Sequence, residues 1–146
     1  MTHRVVALCI AFAISAPACL GQALTVRVID AKSLKPVKGR TVRVQFEDIS
    51  PLRWRGGYVD KVTNKEGKAV FQLPAPLPDH VVVAHQIPNW RQCSPPQYDT
   101  RQVLRSGVVG EDACMYADLE FTAKPGEIVI FVRYVSFWER LRSFPV

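Results

Sequence analysis

The sequence predicts an all-β protein, an antiparallel β-sandwich of about seven strands, and three observations support this prediction. Apolar and polar residues alternate in several short runs, which is the period of a strand that has one face on a core. Two other runs are continuously apolar over the length of a strand. Glycine and proline punctuate the segments between the runs. Short strands separated by regular turn signals are typical of a sandwich.

Two regular strands open the predicted fold. Residues 24–30 begin with three apolar side chains that alternate with Thr25 and Arg27, and residues 41–46 alternate without a fault. Each run therefore predicts a half-buried strand. Residues 33–39 lie between the two runs and contain a proline and a glycine, which predicts a loop.

A hairpin is expected next. Residues 58–63 predict a weaker strand, and residues 68–73 return with three apolar side chains on one face. Gly67 stands between them, at the position of a hairpin turn that requires a positive φ angle. Three prolines within residues 74–78 then end the pairing, because proline has no backbone N–H to donate.

The two continuous apolar runs, residues 80–85 and 127–134, predict the central strands of the sandwich. A short strand at residues 119–123 is expected before the second run, because Lys-Pro-Gly at residues 124–126 separates the two as a turn. These runs complete a set of about seven strands.

Two segments have the period of a helix instead. Residues 100–106 predict two helical turns within the segment between the third and fourth cysteines. Asp99 or Thr100 is suited to be the N-cap, and Gly107 follows the last turn. Residues 137–144 place three aromatic side chains and a leucine at helical spacing, which predicts a short C-terminal helix.

The first 23 residues predict a secretory signal peptide. A basic residue, Arg4, precedes an uncharged apolar stretch at residues 5–14, and small residues are frequent after it. Small residues at the required positions allow cleavage after Ala18 or after Ala23. The second cleavage leaves residues 24–146 as a single domain, and loss of Arg4 takes the formal net charge from +6 to +5.

Two alternatives to simple secretion are weaker. Residues 5–26 carry no charge, as in an uncleaved anchor, but their apolar part is too short to span roughly 30 Å of hydrocarbon. The segment before Cys19 resembles a bacterial lipobox, but Ala16 stands where a leucine is expected. We therefore expect a periplasmic or secreted protein without a lipid anchor. No later run approaches the roughly 18 apolar residues of a membrane span.

Cysteine usage agrees with export. Two of the four cysteines lie in the predicted signal peptide, which leaves Cys93 and Cys114 as an even pair. In an oxidising compartment such a pair predicts a disulfide. A metal site is the alternative, but two cysteines with the distant His80 and His85 do not have a zinc-binding spacing. We expect no metal and no cofactor.

Composition and charge exclude several classes of protein. With 48% hydrophobic residues and no low-complexity tract, the chain is not disordered, collagenous or a coiled coil. Nucleic-acid binding is not expected, because the positive charge is modest and the basic residues are dispersed. The predicted location outside the cytoplasm also argues against it. A monomer is expected.

Three segments of the first half together resemble a known family. They are residues 24–30, residues 35–44 with Pro-Val-Lys-Gly, and residues 63–71 with Thr-Asn-Lys-Glu-Gly-Lys-Ala-Val-Phe. This order resembles the carboxypeptidase regulatory-like domain, one of the transthyretin-like, or prealbumin-like, sandwiches. The resemblance covers residues 24–85. The second half is similar to small exported proteins of acidobacterial type that carry such a domain alone, which implies a fold and a location but no reaction.

The chemistries of related proteins do not fit this chain. Carboxypeptidases of this kind keep zinc and the catalytic glutamate in a separate domain, for which residues 24–146 leave no room. The transthyretin-related hydrolase ends in Tyr-Arg-Gly-Ser, whereas this chain ends in Ser-Phe-Pro-Val. The related adhesin sandwiches form a Lys–Asn isopeptide bond, and the last predicted strand here contains no asparagine.

A catalytic site is not expected from the residues either. His80 and His85 are the histidines outside the signal peptide, and five positions apart in one strand they point to opposite faces. The carboxylates are scattered among turns, and no phosphate loop or nucleophile motif occurs. The chain is therefore predicted not to be an enzyme, although a small enzyme that uses His80 or His85 is the alternative.

Aromatic and basic residues mark the candidate binding surface. They are Arg53, Trp54, Arg55 and Tyr58 in a loop between strands, and Trp90 in a second irregular segment. Aromatic rings can stack on sugars, and arginine can donate to carboxylates. The alternative is that Trp54 and Trp90 cover the edge of the core.

These observations predict an exported, non-catalytic binding module whose partner is cell-envelope glycan or another envelope protein. A small enzyme and a purely structural envelope component are the alternatives. An exposed face with Trp54, Tyr58 and Trp90 would favour binding, and a pocket with a histidine beside a carboxylate would favour catalysis.

Overall fold

The computed structural model describes residues 22–47, 57–111, 113–114, 121–136 and 138–139. Within these ranges the chain is mostly β, and its named elements are nine strands and one helix. In chain order they are β1 (Ala23–Asp30), β2 (Thr41–Glu47), β3 (Tyr58–Val62), β4 (Lys68–Gln72), β5 (His80–His85), β6 (Trp90–Gln92), β7 (Gln97–Asp99), α1 (Thr100–Ser106), β8 (Val108–Val109) and β9 (Glu127–Tyr134).

The strands form two sheets that pack against each other. The first sheet has the order β4-β1-β9-β6, with β8 also paired to β9, and the second has the order β3-β2-β5-β7. Alternate residues of both sheets point into one buried core, which includes Val26 and Ile130 from the first sheet and Val44 and Val83 from the second. The two-layer, mostly β architecture agrees with the predicted sandwich.

The second sheet is antiparallel throughout, as predicted, but the first sheet is mixed. Strand β9 runs parallel to β1, from Thr25 beside Glu127 to Asp30 beside Val132, and it is also parallel to the short β8. The first six residues of β9 are all buried. Such burial on both faces is typical of a strand that has parallel neighbours and reads as a continuous apolar run.

A second apolar cluster covers the outer face of the first sheet. It contains Val129 and Phe131 of β9, and Phe121 packs edge-on against Phe131 with ring centroids 5.2 Å apart. Cys93 belongs to the same cluster and is joined to Cys114 by a disulfide, as the sequence predicts. Cys114, Phe121 and Ala123 therefore form a third layer over part of this sheet, and we call these residues the disulfide-bearing segment.

Local signals in the sequence identified the turn and the helix. The backbone of Gly67 has φ 71°, and the Asn64 side-chain oxygen accepts a hydrogen bond from the Lys68 N–H at 2.9 Å. Helix α1 has the predicted bounds, and an Asp99 carboxylate oxygen accepts from the Gln102 N–H at 2.8 Å as its N-cap. Both predictions are confirmed.

Other predicted elements differ or lie outside the described residues. The strand predicted at 119–123 is not formed over residues 121–123, and Phe121 and Ala123 instead pack against the second cluster on the first sheet. The predicted signal peptide lies outside the described residues, except that residues 22 and 23 lead into β1. Most of the predicted C-terminal helix is also outside them, although residues 138 and 139 are helical. None of the helices in the described ranges has the length and apolar character needed to cross a membrane.

Candidate binding surface

The outer face of the second sheet is the surface on which Tyr58 lies. Val42 and Val44 of β2 point into the core, so the residues that alternate with them point outward. Register then places residues of all four strands on this face. We call it the Tyr58 face, and it comprises Thr41, Arg43, Gln45, Tyr58, Asp60, Val62, His80, Val82, Ala84, Gln97 and Asp99.

Tyr58 is held in place by its neighbours although it is exposed. The side chain is 60% exposed, and the Arg43 guanidinium lies 3.9 Å from the centroid of its ring. Arg43 in turn donates two hydrogen bonds to the Asp60 carboxylate, both at 2.8 Å. Cation–π and bidentate contacts of this kind restrict the rotamers of long side chains. The Arg43–Asp60 ion pair, and not burial, therefore holds the aromatic ring in place.

The charges of this group are stable over the ordinary pH range. The hydrogen bonds that Arg43 donates to the Asp60 carboxylate lower the pKa of Asp60 and raise the pKa of Arg43. Asp60 therefore stays ionised and Arg43 stays protonated at neutral pH. Tyr58 consequently has a permanently charged partner beneath its ring.

Strand β3 gives Tyr58 an unusually open position. All five residues of β3 are exposed, and β3 is an edge strand paired only with β2 among the described strands. Val62, at the far end of β3, is 63% exposed. The face thus combines an exposed aromatic ring, an exposed apolar side chain and an ion pair.

The structure does not bring Trp90 to this surface. Trp90 is half-buried, packs against the main core and meets Tyr134 edge-on at 6.1 Å between ring centroids. It lies on β6 at one edge of the first sheet, whereas β3 contacts β4 at the opposite edge of that sheet. For Trp90 the geometry favours the alternative role, in which it covers the edge of the core.

The remaining predicted site residues, Arg53, Trp54 and Arg55, lie outside the described residues, immediately before Gly57 and β3. Their role in binding stays a prediction. Arg43 and Asp60 were not among the predicted site residues. The alternating pattern of β2 places Arg43 on the outward face, but only the β2–β3 register shows that it lies opposite Asp60.

The two histidines occupy different faces of β5, as strand alternation requires. His85 lies opposite the buried Val42, and its Nδ1 accepts a hydrogen bond from the Ile87 N–H at 3.2 Å. Burial lowers the pKa of His85, so the neutral ring that can accept this bond is favoured. The ring is therefore engaged in a structural contact.

His80 lies on the Tyr58 face, directly opposite Asp99 of β7. One Asp99 oxygen is already used as the N-cap of α1, and in the described part of the chain no ion pair joins it to His80. Nor do the described residues contain three His, Cys, Asp or Glu side chains grouped as metal ligands.

Comparison with known proteins does not assign this chain to a family. No protein-family model matches the chain, and no curated protein matches it. A crystal structure of a 9R-lipoxygenase from Cyanothece PCC8801 is similar over 58% of this chain and 13% of the lipoxygenase chain, with 17% identity and a TM-score of 0.34. This chain thus spans about an eighth of the lipoxygenase, and a TM-score of that size is too low to indicate a shared fold.

Proposed function

We propose that this protein is an exported binding module with a carboxypeptidase regulatory-like, transthyretin-like sandwich, and that it binds cell-envelope glycan through the Tyr58 face. The observation behind the proposal is the exposed Tyr58 ring fixed by Arg43 and Asp60. Ordering an aromatic side chain before the ligand arrives reduces the entropy lost on binding. An exposed ring with such support is suited to stacking on a sugar.

The residues beside Tyr58 suit an extended polar ligand. One row of the Tyr58 face runs across all four strands, from Tyr58 through Gln45 and Val82 to Gln97. Strands lie about 4.8 Å apart, so this row is roughly 14 Å long. Amide side chains donate and accept hydrogen bonds, which matches the hydroxyl groups of a sugar chain.

The covered state of the other sheet also supports this choice of surface. The outer face of the first sheet is partly occupied by the second apolar cluster and the disulfide-bearing segment. Antiparallel sheets commonly keep one face in solvent, and here that face is the one with Tyr58. A non-catalytic role is proposed because His85 is engaged with Ile87 and the Asp99 opposite His80 caps a helix.

The test is the replacement Tyr58→Ala, measured by binding of the purified protein to cell-envelope polysaccharide. We expect binding to weaken by about tenfold, equivalent to about 1.4 kcal/mol, because a stacking ring is lost. Stability should change by no more than about 0.5 kcal/mol, since the side chain is exposed.

Tyr134→Ala is the matched control. Tyr134 is also an exposed tyrosine, at 56%, but it lies on β9 of the first sheet. Its removal should leave polysaccharide binding unchanged. Equal losses for both variants, or binding to an envelope-protein fraction but not to polysaccharide, would contradict the proposal.

A further inference from the structure

A second candidate site lies on the first sheet, away from the Tyr58 face. It is a cavity of about 220 Å³ beside the disulfide. The lining residues are Arg91, Gln92, Cys93, Ala113, Cys114 and Arg133. The charged residues in this lining are both arginines, and among the described residues no carboxylate lines it. The described part of the lining therefore carries a positive charge.

The two arginines are brought together by strand register. Arg91 of β6 lies directly opposite Arg133 of β9 in an antiparallel pair. Side chains directly opposite each other point to the same face, with Cβ atoms about 5 Å apart. Like charges in this arrangement repel, so the pair is unfavourable unless an anion lies between or beside them.

One internal carboxylate compensates part of this charge. Arg133 donates a hydrogen bond to Glu139 at 2.8 Å, and Glu139 is itself held by the Ser136 N–H at 3.0 Å. The Arg133 side chain is only 18% exposed. Arg91 is exposed, and it has no ion pair with any other described residue. One positive charge of the pair is therefore left without a counter-charge from the described chain.

The cavity has a rigid wall. Cys93 is 3% exposed, its N–H donates to the Phe131 carbonyl at 2.8 Å, and its own carbonyl accepts from the Ala113 N–H at 2.9 Å. The disulfide joins the same two segments covalently. A site that is formed before its ligand arrives spends little free energy on ordering.

We propose that this cavity binds a small oxyanion, the carboxylate or phosphate group of a ligand, with Arg91 as the main donor and Arg133 as the second positive charge. The planar guanidinium matches both oxyanions with paired N–H donors. Each water in the liquid occupies about 30 Å³, so a cavity of this size has room for the anionic group and a few further atoms. This site is independent of the proposed glycan surface.

The experiment uses the purified protein with its disulfide intact and follows backbone amide signals by NMR. Sodium phosphate and sodium acetate are titrated separately, and sodium chloride at equal ionic strength is the reference. We expect at least one oxyanion to shift the amides of Arg91, Cys93, Cys114 and Arg133 in a saturable way. Phosphate and acetate thus distinguish the two sources of the oxyanion.

Arg91→Ala should lower the affinity for that oxyanion at least tenfold, and Arg91→Gln should do the same while keeping a polar side chain. Arg101→Ala is the matched control, because Arg101 is an exposed arginine on α1 that does not line the cavity. It should change the affinity less than twofold. The proposal is overturned if neither anion shifts these amides beyond chloride, or if Arg101→Ala weakens binding as much as Arg91→Ala.

Discussion

At the scale of single residues, close packing surrounds the buried Gly110. A Cβ atom at this position would lie 2.6 Å from the Ser94 Cβ and 2.8 Å from the Tyr98 hydroxyl oxygen. Ser94 cannot easily move away, because its Oγ accepts a hydrogen bond from the Phe131 N–H at 2.9 Å within the first sheet. The side chain of Ser94 thus fills the gap along β9 between β8 and β6.

We therefore predict that Gly110→Ala destabilises the protein by about 1–3 kcal/mol, the usual cost of overpacking a buried position. Chemical denaturation measures the change. Gly57→Ala is the control, because no described residue has an atom within 4 Å of a Cβ atom there. If Gly110→Ala unfolds at the same denaturant concentration as Gly57→Ala, the crowding around Ser94 is not as described.

His85 leads to a prediction about pH. Its pKa is lowered in the folded protein by burial, below the ordinary value of 6.5. The folded state therefore binds the proton less readily than the unfolded chain, so stability falls as pH decreases below about 6.5. Protonation also removes the lone pair that accepts the Ile87 N–H.

The prediction is tested with His85→Asn, which offers an acceptor oxygen but does not titrate. Thermal melts of both proteins are compared between pH 7.5 and pH 5, from about 1 unit above to about 1.5 units below the ordinary histidine value. The wild type should lose more stability than the variant over this interval. Parallel curves would show that His85 is not responsible for any acid sensitivity.

At the scale of elements, the sequence was informative where side chains alternate and uninformative where strands are very short. Strands β1, β2, β4, β5 and β9 follow from alternation or continuous apolar runs, and α1 follows from its cap residues. Strands β6, β7 and β8 have only two or three residues, too few to show a period. They form because β9 and β5 offer free edges, which is a tertiary effect.

The pairing of strands could not be predicted from the sequence either. Alternation determines which face a side chain occupies but not which strand lies beside it, so the parallel β1–β9 pair was not predicted. The same limit applies to the candidate sites. Tyr58 was identified from the aromatic and basic residues around it and from its place between strands. Its contact with Arg43 and the Arg91–Arg133 pair depend on strand register, which the sequence does not show.

At the scale of the whole molecule, the two sheets differ in how they meet solvent. The first sheet is enclosed by the main core on one side and, over part of its outer face, by the second apolar cluster. The second sheet keeps its outer face open with respect to the described residues, and Tyr58, Asp60 and Val62 are exposed on it. The proposed glycan surface therefore lies on the open sheet, and the proposed anion site lies where the disulfide-bearing segment meets the enclosed sheet.

The disulfide should stabilise this enclosed side. It closes a loop with a sequence separation of 21 residues, for which the chain-entropy estimate is about 3 kcal/mol. We predict that the double variant Cys93→Ala and Cys114→Ala loses about this much stability in chemical denaturation. Because the segment also covers Val129 and Phe131, the variant should bind more of a fluorescent apolar dye than the wild type.

Single variants serve as controls, because Cys93→Ala or Cys114→Ala alone already breaks the bond. Each should lose nearly as much stability as the double variant, with some added cost for Cys93 because it is 3% exposed while Cys114 is partly exposed.

The mass of the unmodified protein should be about 2 Da below that of its reduced form, since bond formation removes two hydrogen atoms. Two alkylated thiols in the purified protein before reduction would contradict the disulfide. An unchanged dye signal in a destabilised double variant would show that the segment stays on the first sheet through the packing of residues such as Phe121 on Phe131, and not through the covalent bond.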